Sequence, residues 1–224
     1  MTTYFTEPFW QTLFLTFRLA AITTVILVFI GVPLAWFLAQ SRSRLKPFWE
    51  AIVSMPLVLP PTVLGFYLLL AFSPENTFGA WLTNQLGIKL VFTFGGLVVG
   101  SIIYSLPFMV QPIQSGLQGL SPHLAEASYT LGKSRLQTLL RVLLPNIRGS
   151  LLSGIVLSFA HTVGEFGVVL MIGGNIPGKT RVASIAIYDE VEALNYNLAG
   201  QYAGVLVFFS FLILVFVYTV NRRA

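Results

Sequence analysis

Long apolar runs, each nearly free of charged side chains, dominate this sequence. Five of them are long enough to cross the hydrocarbon core of a bilayer, which is about 30 Å thick and needs roughly 20 helical residues. They cover residues 9–39, 51–72, 91–112, 150–173 and 201–220. Arg18 and Glu165 are the clear charged exceptions inside these runs. The pattern predicts an all-α, polytopic membrane protein with five transmembrane helices.

Prolines interrupt the second and third runs. They are Pro56, Pro60, Pro61, Pro107 and Pro112. Proline lacks a backbone N–H and kinks a helix, which leaves carbonyl groups that need partners inside the protein. We therefore expect kinked helices, which are either bent only for packing or line a pathway. The first run is expected to tilt, or to bend near Gly31 and Pro33; it has room for a re-entrant piece but is too short for two full spans.

The composition supports a membrane location. Only 9% of the residues are charged and 55% are hydrophobic, with a mean hydropathy of +0.80, whereas a soluble domain carries about 25% charged residues. The absence of cysteine excludes disulfides, thiolate metal sites and cysteine nucleophiles. The N-terminal residues show no signal-peptide pattern, so the first run is expected to remain as an anchor.

The net charge of +5 is distributed asymmetrically. Alternate connections and the tail hold most of the basic residues, namely Arg42, Arg44, Lys46, Lys133, Arg135, Arg141, Arg148, Arg222 and Arg223. The opposite connections hold only Lys89, Lys179 and Arg181, together with four of the eight acids, Glu75, Asp189, Glu190 and Glu192. Because basic loops face the cytoplasm, the N-terminus is expected outside and the C-terminus inside. Topology thus accounts for the basic balance without a nucleic-acid partner.

The predicted cytoplasmic loop 113–149 contains clear helix signals. Ser121 is suited to cap the start of a short helix, and Gly132 to end it. Ser134 is suited to cap a second helix. Pro145 is expected to break that helix before the fourth span. A short helix lying parallel to the membrane is therefore predicted on the cytoplasmic side.

The same loop carries a spacing pattern known from one family. Glu126-Ala127-Ser128 is followed after three residues by Gly132, and after nine more by Val142-Leu143-Leu144-Pro145. It resembles the E-A-A, G, I-x-L-P motif of permease subunits of bacterial ATP-binding-cassette (ABC) importers, with Ser128 for alanine and Val142 for isoleucine. In that family the loop forms a coupling helix that docks in a groove of the ATPase subunit. The resemblance implies an ATPase-coupling role for Glu126, Ala127, Ser128, Gly132, Leu144 and Pro145.

Two further stretches, 54–70 and 164–189, resemble the molybdate branch of these permeases, and sulfate and tungstate permeases share parts of both. The resemblance implies a type I ABC importer permease fold over a single domain, 1–224, in the bacterial inner membrane. It implies a homodimer, a dimer of ATPase subunits and a periplasmic oxyanion-binding protein. Tungstate, sulfate and thiosulfate are the alternative substrates. Because no P-loop pattern occurs in the chain, ATP hydrolysis is expected on a separate subunit.

A polar stripe is predicted in the fourth span, formed by Ser158, His161, Thr162 and Glu165. Ionisable groups in a membrane are costly and usually face a cavity or a partner. The stripe is therefore either a structural His161–Glu165 pair at a subunit interface or part of a pathway or gate. A bare carboxylate repels a dianion, so Glu165 is expected to organise the gate rather than bind the anion. Without a nucleophile or a metal-ligand set nearby, neither catalysis, metal nor cofactor is expected.

The remaining cationic candidates lie on the predicted outer side. Lys179 and Arg181 adjoin the glycine-rich stretch GGNIPGKT, which suits contact with the anion or the binding protein. The alternative is an exposed turn with interfacial anchors. Arg18 is expected to snorkel to the headgroups or, alternatively, to attract an incoming anion.

Two other classes of function fit a polytopic chain. A self-sufficient channel or secondary carrier is the first, but carriers are often built from repeated halves, and no repeat is visible here. A membrane enzyme is the second, and the few titratable side chains disfavour it. Neither class explains the coupling-loop pattern.

Overall fold

The computed structural model describes residues 7–221, and every regular element in that range is helical. The elements in chain order are α1 (Glu7–Gln40), α2 (Lys46–Val58), α3 (Pro61–Phe72), α4 (Thr77–Leu86), α5 (Phe94–Gln118), α6 (Pro122–Thr130), α7 (Arg135–Thr138), a π-helical turn (Leu139–Leu143), α8 (Leu144–Asn146), α9 (Arg148–Gly164), α10 (Gly167–Gly173), α11 (Ala183–Glu192) and α12 (Tyr196–Asn221). Within this range, α1, α5 and α12 are each long and apolar enough to cross a membrane, and two bent helix pairs raise the number of candidate spans to as many as five.

The second predicted span is two helices rather than one kinked helix. α2 and α3 meet at an angle of 110°. Leu59 and Pro60 between them are both extended, with ψ of 136° and 135°. Each of these residues precedes a proline, and the proline ring excludes the helical conformation for the residue before it. The consecutive prolines Pro60 and Pro61 therefore break this span completely.

The fourth predicted span is also interrupted, although it contains no proline. α9 ends at Gly164, Glu165 and Phe166 lie outside both helices, and α10 begins at Gly167. The prediction of one continuous helix over 150–173 was therefore wrong. The physical reason is tertiary, because α10 turns away to pack on α3. A Cβ atom on Gly167 would lie only 2.7 Å from Cβ of Pro61.

The first and third spans are continuous in spite of their prolines. α1 runs through Pro33 without a break, so it contains no re-entrant piece. Thr93 immediately precedes α5, and its hydroxyl caps the helix by accepting from the Gly96 N–H at 3.1 Å. It continues through Pro107 and Pro112 to Gln118, into the segment that the sequence assigns to the cytoplasmic loop.

The core is built around α1, α5 and α9, which pack against one another. One cluster joins Leu27 and Leu38 of α1 to Met109 and Ile113 of α5. A second cluster joins the opposite end of α5 to α10 and α11, and a third joins α1 to α11 and α12. α11 is also tied to α1 by a hydrogen bond, since the Ala183 N–H donates to Oγ1 of Thr16 at 2.8 Å.

The charge asymmetry gives a direct test of orientation. The chain lacks cysteine, so single substitutions can be labelled with a membrane-impermeant maleimide in intact cells. Ser43→Cys and Lys133→Cys should be protected until the cells are opened, whereas Asn84→Cys and Asn195→Cys should react from outside. All four positions are exposed, so a lack of labelling cannot be ascribed to burial in the chain. Labelling of Ser43→Cys from outside would overturn the N-outside topology.

Candidate functional site

The short cytoplasmic helix α6 ends as the sequence predicts. Gly132 has φ of +73°, a left-handed conformation that favours glycine. The Gly132 N–H donates to Tyr129 O at 2.9 Å, and the Lys133 N–H donates to Ser128 O at 3.2 Å, so the last carbonyls are satisfied. The start of α6 differs from the prediction, because the Ser121 side chain makes no capping hydrogen bond. The Pro122 ring at the first position needs no N–H partner, which lessens the need for a cap.

Ser128 holds α6 against the following helix. Its hydroxyl is 2.8 Å from that of Thr138, and both residues are buried. Ser134 and Gln137 form the predicted cap as a reciprocal box, with bonds of 3.2 and 3.1 Å. Glu126, in contrast, faces outward with 67% of its side chain exposed.

Pro145 does not end the second loop helix where the sequence predicts. The helix continues through α8 to Asn146, and the break falls at Ile147. The π-helical turn before Pro145 explains the difference. A proline in a regular α-helix collides with the carbonyl four residues earlier, and a wider turn with bonds to the fifth residue back relieves that contact. The Leu144 N–H indeed donates to Leu139 O.

A chain of hydrogen bonds links α9 to α5 inside the membrane-spanning region. Oγ of Ser105 lies 2.9 Å from Nδ1 of His161 and 3.0 Å from Oγ1 of Thr162. Thr162 Oγ1 also donates to Ser158 O at 2.9 Å. Because the single Thr162 proton goes to that carbonyl, Ser105 must donate to Thr162 and accept from His161, so Nδ1 of His161 carries a proton. The His161 ring stacks on Phe108, with centroids 4.0 Å apart.

Glu165 is not paired with His161 in the described part of the chain, so the structure does not show the first of the two alternatives for the polar stripe. The helix ends at Gly164, so the two side chains are not on one helical face. The Glu165 side chain is only 3% exposed, and neither carboxyl oxygen has a hydrogen-bond partner among the described residues. The Ser101 hydroxyl faces this carboxyl, but the geometry does not meet that of a hydrogen bond. Glu165 is instead fixed through its backbone, since the Ser184 hydroxyl donates to Glu165 O.

A cavity of about 400 Å³ lies where the two helix breaks meet. Its lining includes Pro61, Thr62, Tyr104, His161 and Glu165. The structure thus brings His161 and Glu165 to one cavity, together with residues that the sequence analysis did not single out. Among residues 7–221, no lysine or arginine contributes to the lining.

The serines of α5 were missed, although the sequence contained a signal for them. Ser101 and Ser105 are four residues apart in an apolar span, which places them on one face of α5. Both are fully buried, and Ser105 contacts His161 and Thr162 of α9. An i, i+4 pair of hydroxyls in a predicted span could have been matched to the polar stripe of the fourth span.

Lys179 and Arg181, the two predicted cationic contacts, differ in their surroundings. Lys179 is exposed. Arg181 is engaged within the chain, because its Nε donates to Asn175 Oδ1 at 2.8 Å and its Nη2 lies 3.3 Å from Oδ2 of Asp189. Asn175 also donates to Asp189 at 2.8 Å, which closes the network. Arg18 lies over the Phe94 ring, 4.8 Å from its centroid.

The fold is that of the membrane subunits of ABC importers. It superposes with a TM-score of 0.82 on a chain of a bacterial ABC transporter that imports alginate, at 17% identity over 99% of this chain and 82% of that one. A chain of the inward-facing MetNI methionine ABC transporter superposes with a TM-score of 0.74, at 19% identity over 98% of this chain and 99% of that one. Residues 31–223 match the family described as binding-protein-dependent transport system inner membrane component, and the chain belongs to this family.

Curated relatives match nearly the whole chain. The molybdenum transport system permease protein ModB of Azotobacter vinelandii is 51% identical over 93% of this chain and 92% of its own length. ModB of Escherichia coli K12 is 32% identical over 84% and 82%. The sulfate transport system permease protein CysT of the same strain is 35% identical over 86% and 69%. The chain is therefore a multi-pass inner-membrane transport subunit that works with an ATPase and a binding protein.

The contact between the two helix breaks can be tested with two glycines. Gly167→Ala places a methyl group 2.7 Å from Cβ of Pro61 and 3.1 Å from the Thr62 nitrogen. We expect a loss of about 1–3 kcal/mol of stability from this overpacking. Gly164→Ala is the control, because an added Cβ there meets nothing within 4 Å. The stability of each purified variant is measured by thermal unfolding. Equal unfolding midpoints for the two variants would show that α10 does not pack on α3 as described.

Proposed function

We propose that this chain is the permease subunit of an importer for molybdate, a tetrahedral oxyanion delivered by a periplasmic binding protein. The observation that carries the proposal is the 51% identity to a molybdenum permease over 93% of the chain. The lower identity of 35% to a sulfate permease supports sulfate as the second candidate. Tungstate shares the charge and shape of molybdate and belongs to the same class of substrate.

The cavity at the helix breaks is proposed as part of the pathway, with Ser158, His161, Thr162 and Glu165 as gate residues. The described part of the chain contributes no lysine or arginine to its lining, so no cation is present there to bind a dianion tightly. Removing an anion from water is costly unless it finds hydrogen-bond partners. The hydroxyl groups of the lining and the backbone at the helix breaks can supply such partners while the anion passes. Tight binding of the anion is then expected of the binding protein and not of the permease. A second copy of the chain is proposed to complete the wall of this cavity.

The anion is tested with the reconstituted complex of permease, ATPase and binding protein. We expect molybdate to stimulate ATP hydrolysis at a concentration at least tenfold below that needed for sulfate, a difference of about 1.4 kcal/mol. Tungstate should act close to molybdate. The measurement is phosphate release against anion concentration, with complex lacking the binding protein as the control. Stimulation by sulfate at the lower concentration would reassign the chain to sulfate transport.

The α6 helix is proposed to be the coupling helix that docks on the ATPase. Its outward side offers Glu126 and Ala127, both exposed. Ser128 has a supporting role, since its hydroxyl is used within the loop. Leu144 is half-buried against the core and Pro145 is exposed beside the π-helical turn. On the outer side, the exposed Lys179 is proposed to meet the binding protein or its anion, while Arg181 shapes the loop.

The coupling role is tested by two glycines with the same backbone conformation. Gly132 and Gly87 have φ of +73° and +66°, and an added Cβ meets nothing within 4 Å at either. A valine at positive φ costs about 1–3 kcal/mol at both sites. Gly132→Val should abolish most uptake and ATPase co-purification, whereas Gly87→Val, on the predicted outer side, should retain both.

Glu126→Lys supplies an independent arm of the same test. Charge reversal at a docked contact should weaken ATPase binding by roughly tenfold or more, while membrane insertion is unaffected. Co-purification of the ATPase and anion uptake are the readouts. If both are unchanged in Glu126→Lys and in Gly132→Val, α6 is an ordinary interfacial helix.

A further inference from the structure

Two adjoining cavities lie between the cytoplasmic end of α1 and the side of α6 that faces it. Their volumes are about 460 and 430 Å³. Trp36, Gln40, Ser41 and Tyr129 line both of them, so they form one recess, here called the α1–α6 recess. It lies apart from the cavity at the helix breaks and shares no residue with it.

The recess carries an excess of positive charge. Arg42 and Lys46 line the larger cavity, and Arg135 lines the smaller one. Within residues 7–221, Arg42 and Arg135 have no ion-pair partner, and Lys46 has only a 3.8 Å contact with Glu50. Glu126 is the one acid among the described residues that line the recess. Three cations against one carboxylate favour an anionic ligand.

Uncharged donors at the recess add to this preference. Lys46 begins α2 and Pro122 begins α6, so the N-termini of two helices adjoin the larger cavity, and the positive ends of their helix dipoles favour an anion there. The Ser121 hydroxyl lines the same cavity and caps nothing. The indole Nε1 of Trp36 is buried without an acceptor. An anionic oxygen in the recess would supply that acceptor once the indole turns toward it.

An apolar stripe on α1 leads from the membrane to the recess. Val25, Phe29, Pro33 and Phe37 follow at four-residue spacing, and all are exposed. Phe37 is 54% exposed and also lines the smaller cavity. A hydrocarbon chain lying along this stripe would place its head group in the recess. Tryptophan and tyrosine, represented here by Trp36 and Tyr129, are typical of the membrane–water interface.

We propose that the α1–α6 recess binds the phosphate-bearing head group of an anionic phospholipid of the cytoplasmic leaflet. Basic pockets between helices on this side of a membrane suit such head groups. The site goes beyond the transport function, because nothing in it depends on which anion is carried. Its position gives it a consequence for coupling, since a bound lipid contacts both α1 and α6.

The test counts lipids retained by the full permease–ATPase complex, using native mass spectrometry. The complex is equilibrated with phosphatidylcholine alone or with added phosphatidylglycerol. The double variant Arg42→Gln with Arg135→Gln should bind phosphatidylglycerol at least fivefold more weakly than its control, given roughly fivefold per basic side chain near the lipid surface. The control is Arg44→Gln with Arg141→Gln, which removes the same charge from exposed cytoplasmic positions outside the recess.

A second variant keeps the proposal testable if the charge variants fail to assemble. Trp36→Phe removes the indole N–H and retains an aromatic ring, and it should weaken phosphatidylglycerol retention about two- to fivefold. Trp49→Phe, an exposed tryptophan outside the recess, should leave it unchanged.

Three outcomes would overturn the proposal. Equal loss in the two double variants means diffuse surface attraction. Release of the lipid by millimolar inorganic phosphate means a soluble-anion site. Equal retention of phosphatidylcholine means that the recess does not select charge. None of these outcomes depends on anion-stimulated ATP hydrolysis, so the lipid site and the transport function can fail separately.

Discussion

The structure depends on one constraint, which is that backbone N–H and C=O groups in a membrane must be satisfied within the protein. Two of the predicted spans are interrupted locally, at residues 59–60 and 165–166, where the regular helical hydrogen bonds stop. The breaks are tolerated because they are packed on each other rather than on lipid, with α10 against α3. The carbonyl of Glu165 finds its donor in Ser184 of α11. Irregular backbone therefore occurs where protein surrounds it or a cavity adjoins it.

Small residues make this arrangement sterically possible. A Cβ on Gly65 would lie 2.8 Å from Cβ of Met171, and one on Gly167 would lie 2.7 Å from Cβ of Pro61. The backbones of the two broken spans are thus in close contact, as small residues allow between membrane helices. A shift of either break must move the other, because close-packed interiors deform little. This is a property that a gate needs, and it places Glu165 at the joint between the two breaks.

The sequence predicted the features that local chemistry decides. The helix stop at Gly132 and the cap at Ser134 follow from backbone and side-chain preferences, and both are present. The continuation through Pro145 and the break after Gly164 could not be predicted, because each depends on contacts made elsewhere in the fold. The pairing of His161 with Ser105 was hidden for the same reason, since 56 residues separate them. Local rules thus predicted the helix ends in the loop 113–149 better than the polar cavity.

The cytoplasmic loop is joined to the membrane core by packed contacts rather than by a flexible linker. α6 is held to α7 through the Ser128–Thr138 pair. The π-helical turn that follows places Leu139 and Leu143 in the cluster formed by α1 and α5. Because buried side chains at close-packed density transmit displacement, a movement imposed on α6 reaches α1 and α5 directly. The wide turn before Pro145 keeps this connection helical up to Ile147, where a regular α-helix would have met the proline with a kink or a break. The π-turn is therefore the local feature that keeps this short loop rigidly connected to the core, as the proposed coupling role requires.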